Sequence, residues 1–144
     1  MKITRSRSQC MAPLALAGAF LVFLYTSAGA QPRPTRKDEP LDVVFARVPE
    51  KARSKHNPFE GDPEAAAAGK KLFEQHCAEC HGPTADGAKR GPHLRAAEVQ
   101  QATPGETFWV ITNGVVRHGM PAWSKLPEPQ RWQIVAFLRS LDGG

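Results

Sequence analysis

Cys77-Ala78-Glu79-Cys80-His81 places two cysteines and a histidine within five residues, and what those side chains hold decides the fold around them. Three chemistries use such a cluster: zinc ligation, dithiol redox exchange and covalent haem attachment. A zinc site needs four ligands, drawn here from Cys77, Cys80 and the histidines His76, His81, His93 and His118. A finger wants two histidines three to five residues apart, and His93 and His118 are far more distant. A thioredoxin-like thiol pair follows a strand and sits at a helix N-terminus, where the thiol pKa falls. Here the motif closes a helix-forming run, AAAAGKKLFEQ (Ala65–Gln75), with no strand pattern before it. The haem reading uses every residue. Cys77 and Cys80, three apart on a helical turn, face the same way, so both sulfurs reach the vinyl groups of one porphyrin. His81 is then carried under the ring as the proximal iron ligand, and C-x-x-C-H is the attachment pattern of haem c. The residues therefore point to one covalently bound haem c, linked through Cys77 and Cys80.

The opposite face of the iron has one strong candidate. Met1 and Met11 lie in the leader, so Met120 is the methionine left to the body of the chain. A lone methionine is ordinarily core filler. Met120, however, stands in RHGMPAW (Arg117–Trp123), where Gly119 and Pro121 hold it away from helical packing. A thioether opposite histidine favours ferrous iron and raises the reduction potential. His118, two residues away, is the rival ligand.

The leader is legible from its charge and hydropathy. Lys2, Arg5 and Arg7 precede the apolar run APLALAGAFLVFLY (Ala12–Tyr25), and Ala28-Gly29-Ala30 supplies small residues at a cleavage point before Gln31. Residues 1–30 are thus expected to be a secretory signal, the alternative being an uncleaved membrane anchor, against which Pro13 counts. Cleavage would remove Cys10 and leave Cys77 and Cys80, so a framework of several disulfides is excluded. Export agrees with haem c, which is attached outside the cytoplasm.

The 144 residues carry 19 Lys and Arg against 14 Asp and Glu, but the excess is concentrated at the start. Without Lys2, Arg5 and Arg7 the balance is 16 to 14, and residues 62–144 hold nine of each sign. A nucleic-acid partner, which wants a basic face with interleaved aromatics, loses its support. Residues 31–61 contain five prolines and read as a charged, proline-rich tail. Within it LDVVFARV (Leu41–Val48) is an apolar island, expected to lie on the domain as a strand-like flap, or else to dock a partner.

Regular structure is expected from Asp62, where Asp62-Pro63-Glu64 supplies a cap, a proline at the first helical position and a first-turn acid. The first helix is predicted from Pro63 into the cysteine motif. A second opens at the capping box Thr103–Glu106 and stops at Asn113-Gly114. The last spans about Glu128 to Leu141, with Ile134, Phe137, Leu138 and Leu141 in one apolar stripe. No segment alternates with period two, so residues 62–144 read as all-α. The interval Gly82–Ala102, with at most a helical turn near Leu94–Gln100, is a long loop of the kind that serves a site.

Gly69-x-x-x-Phe73, CAECHG, Gly91-Pro92-His93-Leu94, Gly119-Met120-Pro121-Ala122-Trp123 and the closing WQIVAFLRSL together resemble class I cytochrome c, particularly small bacterial monohaem carriers and haem modules of respiratory complexes. The resemblance covers Asp62 to Gly144 and leaves residues 31–61 outside. It implies the cytochrome c fold, three main helices and long loops wrapped around one haem. It implies that the first and last helices cross at Gly69, with Phe73 against Phe137. It also implies that the Pro92 carbonyl accepts the second ring N–H of His81, while Met120 completes the iron. The function implied is one-electron carriage, Fe(II) to Fe(III), between redox protein partners outside the cytoplasm, with no substrate chemistry and no catalytic residue. The alternative is a dedicated electron-transfer subunit of a dehydrogenase or terminal oxidase; a haem peroxidase or gas binder would need Met120 displaced. The chain is expected as a monomer outside any complex, with membrane contact only if the signal is retained.

Overall fold

In the computed structural model, residues 40–88 and 90–141 are described, so the leader and the start of the tail lie outside them. Among the described residues seven helices follow in order: α1 (Leu41–Ala46), α2 (Glu50–Arg53), α3 (Pro63–His76), α4 (Ala78–His81), α5 (Ala97–Gln100), α6 (Pro104–Asn113) and α7 (Glu128–Ser140). A 3-10 turn, Val116–His118, lies between α6 and α7. Among the described residues there is no strand, only two isolated bridges, Ala88 with Gly91 and Val115 with Met120.

The capping signals act as their chemistry dictates. Asp62 Oδ1 accepts from the backbone N–H groups of Glu64 (2.9 Å) and Ala65 (3.1 Å), occupying donors that the first turn of α3 leaves unpaired. At α6 the Glu106 N–H donates to Thr103 Oγ1, and Glu106 Oε2 accepts from the Thr103 N–H at 2.7 Å. Gly114, at φ 67°, ends α6 in a conformation that side chains resist.

The core forms where α3 meets α7. Ala65, Gly69 and Phe73 are the buried positions of α3, each four residues after the last. A Cβ on Gly69 would lie 1.9 Å from the Gln133 carbonyl oxygen, so the α7 backbone rests directly on this glycine. One turn along, the rings of Phe73 and Phe137 meet at 5.2 Å between centroids, tilted by 52°. The expected stripe of α7 is broader than Ile134, Phe137 and Leu138, since Trp132 and Val135 are also buried, and Trp132 stacks on Phe108 at 3.9 Å. Burying a ring of this size stabilises by roughly 2–3 kcal/mol.

The tail departs from expectation. Leu41–Ala46 is helical, not strand-like. Val44 and Val48, four residues apart, are the buried pair, so the apolar island has a helical face rather than an alternating one. The side chains of Leu41–Val48 proposed for partner docking are in part spent on the fold itself. The segment is held by polar contacts: Arg53 donates to the carbonyls of Val48 (3.1 Å) and Phe45 (2.7 Å) and pairs with the buried carboxylate of Glu106. Asn57, also buried, donates through Nδ2 to the Trp132 carbonyl at 3.1 Å. A Cβ on Gly105 would fall 2.0 Å from the Ala52 carbonyl oxygen, so α2 lies against the start of α6 at backbone contact.

The long loop after α4 is pinned rather than free. Gly87 N–H donates to the His81 carbonyl at 2.9 Å and Leu94 N–H to the Ala85 carbonyl at 2.8 Å. Arg95 bonds the Thr84 and Leu141 carbonyls and pairs with Asp86, tying this loop to the end of α7.

Candidate haem-binding site

The C-terminus of α3 delivers the motif. Cys77 N–H closes the last turn on the Phe73 carbonyl at 2.8 Å, and Cys80 and His81 N–H groups both return to the Cys77 carbonyl at 3.0 Å. This single turn sets Cys77 and Cys80 three residues apart on one face, with neither thiol in a disulfide. His81 is 9% exposed.

The electrostatics of Cys77 are not those of an attacking thiolate. Burial, and then the neighbouring Cys80, push the Cys77 thiol up to about 11, so in the thiol form it stays protonated at neutral pH. A redox-active cysteine is a thiolate; a buried thiol of this kind is inert until joined to something. Among the described residues, no three His, Cys, Asp or Glu side chains gather to hold a metal ion, so zinc finds no cluster either.

His81 is the candidate ligand whose surroundings are best defined. Its Nδ1 lies 3.1 Å from the Pro92 carbonyl oxygen. A carbonyl only accepts, so Nδ1 carries the proton and Nε2 keeps the lone pair. Burial lowers the pKa of the ring, partly offset by this hydrogen bond, which favours the neutral imidazole, the form able to bind a metal. Such an outer bond orients the ring and raises its basicity. Gly91 makes the contact possible: a Cβ there would lie 2.8 Å from the Cys80 carbonyl oxygen and 2.9 Å from His81 Nδ1. The motif Gly91-Pro92 was legible in the sequence, but the role of Gly91 was not. It required knowing how closely the loop returns to α4.

Met120 sits in a turn closed at both ends. Val115 N–H donates to the Met120 carbonyl at 3.0 Å, and Met120 N–H returns to Val115 at 3.3 Å. Gly119, at φ 89°, permits the turn. The half-buried Met120 packs on the core cluster alongside Cys77, Ala78, Leu94, Trp123 and Leu126. Trp123 ties this loop back twice, by its N–H to the Ile111 carbonyl at 3.0 Å and by its ring against His76, 5.2 Å between centroids. The His76–Trp123 pair, joining the residue before Cys77 to the methionine loop, carried no signal in either motif alone. His118 lies in the preceding 3-10 turn, and His93 is exposed, its Nδ1 accepting from the Arg95 N–H at 3.0 Å.

This donor set fits a haem. Two unbridged thiols share one face, a neutral imidazole is oriented by a carbonyl, and the thioether shares an apolar margin with Cys77. The comparisons agree. The family described as cytochrome C oxidase, cbb3-type, subunit III matches residues 64–138. The cbb3-type cytochrome c oxidase subunit FixPc of Rhizobium leguminosarum bv. viciae is 36% identical over 86 residues, covering 58% of this chain and 30% of that protein. Subunit CcoP of the same oxidase type from Rubrivivax gelatinosus is 33% identical over 106 residues, covering 72% of this chain and 33% of the relative. The chain thus spans about a third of the length of these curated relatives. Among solved structures, cytochrome cL of the methylotroph Methylophaga aminisulfidivorans superposes with a TM-score of 0.54 at 29% identity, covering 65% of this chain and 69% of that one. The chain belongs to the cytochrome c family described as cytochrome c oxidase, cbb3-type, subunit III, an electron-transport family whose cofactor is covalently bound haem c.

Proposed function

We propose that this chain works outside the cytoplasm as the electron-carrying cytochrome subunit of a cbb3-type terminal oxidase. The observation that carries the reading is the coincidence of the family match, residues 64–138, with the whole of the CAECH, Gly91-Pro92 and Met120 constellation. Haem c, when bound, supplies reversible one-electron chemistry at iron. The chain's own residues do the rest. Cys77 and Cys80 would hold the macrocycle by thioether bonds, and His81, oriented by Pro92, would offer Nε2 to the iron. Met120 would offer its sulfur as a second protein ligand, and with two protein ligands the iron would be shielded from exogenous ones. The buried faces of α3 and α7 exclude water behind the motif. A haem held by these four side chains would carry electrons without making or breaking a substrate bond.

The relatives favour a subunit of a complex over a free shuttle, because both named curated relatives are oxidase subunits. The export reading rests on residues 1–30; among the described residues, no helix is long and apolar enough to cross a membrane. Affinity purification of the tagged chain from mildly solubilised membranes of its native host should bring down haem–copper oxidase subunits. Recovery of the chain alone from the extracytoplasmic fraction would instead make it a shuttle. At the iron, the reduced protein should resist carbon monoxide at neutral pH, and Met120→Ala should bind it rapidly. Rapid binding by the unaltered protein would remove Met120 as a ligand.

A further inference from the structure

We infer that His76 and Trp123 are a pair of positioning residues: their ring contact ties the loop that carries Met120 to the helix that ends beside Cys77, and so sets how firmly Met120 would stay on the iron. The inference rests on the reading of Met120 as an iron ligand. It starts from the two separate supports of the site. The cysteine motif continues α3, whose last residue is His76. The methionine loop is fixed instead to α6. Val115 and Met120 exchange backbone bonds at 3.0 and 3.3 Å, and the Trp123 N–H donates to the carbonyl of Ile111, a buried residue of α6. A Cβ on Gly114 would lie 2.6 Å from the Pro121 carbonyl oxygen, so the loop backbone returns onto the end of α6 itself. α3 and α6 each pack on α7. Through that packing the spacing between motif and loop is relayed by a third helix, and slack at either face reaches Met120.

The two rings bridge the supports directly. Their centroids are 5.2 Å apart and their planes inclined by 50°, the geometry of a tilted aromatic contact. Both residues are half-buried. His76 immediately precedes Cys77 and Trp123 follows Met120 by three residues, so each end of the strut stands next to a residue of the haem site. The tryptophan end is itself braced. Its side chain packs on the core cluster, and its carbonyl accepts from the Leu126 N–H at 3.0 Å. The contact is one of packing and needs no charge on the imidazole. An aromatic pair changes a local equilibrium by roughly two- to tenfold beyond the area it buries. That is too little to decide whether the domain folds. It suffices to change the small fraction of molecules in which the methionine loop stands away from the motif, and an external ligand reads that fraction as apparent affinity.

The test uses the holoprotein and measures the affinity of the reduced form for carbon monoxide, which competes with Met120 for the iron. The weak far-red absorption of methionine-ligated ferric haem is recorded on the same samples. Trp123→Leu and His76→Ala should each raise the carbon monoxide affinity roughly fivefold. The double variant should go no further than the larger single effect, because each substitution already removes the one contact they share. His76→Phe, which keeps a ring at the place and does not titrate, should stay within about twofold of the unaltered protein. If Trp123→Leu fails to hold haem, the contrast between His76→Ala and His76→Phe decides alone. The inference is overturned by single variants that bind carbon monoxide as the unaltered protein does, by single effects that multiply in the double variant, or by His76→Phe behaving as His76→Ala. Each of those results leaves Met120 as a ligand. An unaltered protein that lacks the far-red absorption, or binds carbon monoxide as readily as Met120→Ala, overturns the inference together with the ligand reading, so the two failures are told apart.

Discussion

The α3–α7 crossing and the segment from Pro40 to Gly61 are held by opposite means. At the crossing, a side chain is missing: Gly69 lets the α7 backbone sit where a Cβ would be, and Phe73 and Phe137 pack beside it. In the N-terminal segment, side chains reach out: Arg53 grips Glu106 and two carbonyls, and Asn57 grips the Trp132 carbonyl. The first is apolar contact between two long amphipathic helices, while the second is a set of buried polar bonds holding two short ones. Contact of the first kind tolerates no added volume, and bonds of the second kind tolerate no lost partner. Both serve the haem motif, since α3 leads directly into the cysteines and α6, which Arg53 grips, leads into the Met120 loop.

The sharpest way to break the first region is Gly69→Ala. With its Cβ 1.9 Å from a backbone oxygen, the helices must separate, and denaturant unfolding of the holoprotein should show a loss of about 3 kcal/mol or more. A loss under about 1 kcal/mol would mean the crossing is looser than described. In the second region the largest effect falls on Glu106→Ala, which removes both the partner of Arg53 and half of the α6 capping box. A cost of roughly 2–3 kcal/mol is expected, because the carboxylate is buried although Arg53 is partly exposed. Hydrogen exchange should quicken in residues 40–61 before it quickens in α3, and uniform quickening would show that the segment is not a separate unit.

These two regions also differ in how far they could be read. Asp62, the Thr103–Glu106 box, Gly114 and the stripe of α7 are local signals, each needing only neighbours within a turn or two, and their helices stand where expected. The Gly69, Phe73 and Phe137 contact came from the family resemblance, not from periodicity. Leu41–Ala46 was misread because its apolar residues fit a strand as well as a helix, and the choice falls to the burial of Val44 and Val48 on the domain. Arg53 and Glu106 are 53 residues apart, and no spacing rule joins them. At the site, Cys77, Cys80, His81 and Met120 were legible as residue types in motifs. Gly91 against the imidazole and Trp123 against His76 depend on loop paths that the motifs do not encode.

Asn57→Ala tests the polar clamp more gently. It removes a buried side-chain donor to the Trp132 carbonyl and the acceptor of the Phe59 N–H, for about 1–2 kcal/mol by denaturant unfolding, and an effect near zero would make the contact incidental. Smallest of all should be Glu50→Ala. Its carboxylate lies 3.9 Å from Arg53 with its side chain 89% exposed, so less than about 0.5 kcal/mol is expected. If Glu50→Ala matched Glu106→Ala, the clamp would owe its strength to surface charge rather than to burial.

The central claim is that one haem is joined covalently through both cysteines of the motif. Mass analysis of the tryptic peptide spanning residues 72–89, from pigment that survives acidified organic solvent, tests it most directly. The account predicts this peptide, with Cys77 and Cys80, recovered heavier by one haem and with no free thiol. Pigment lost to the solvent, and the same peptide recovered with both thiols free, would contradict it.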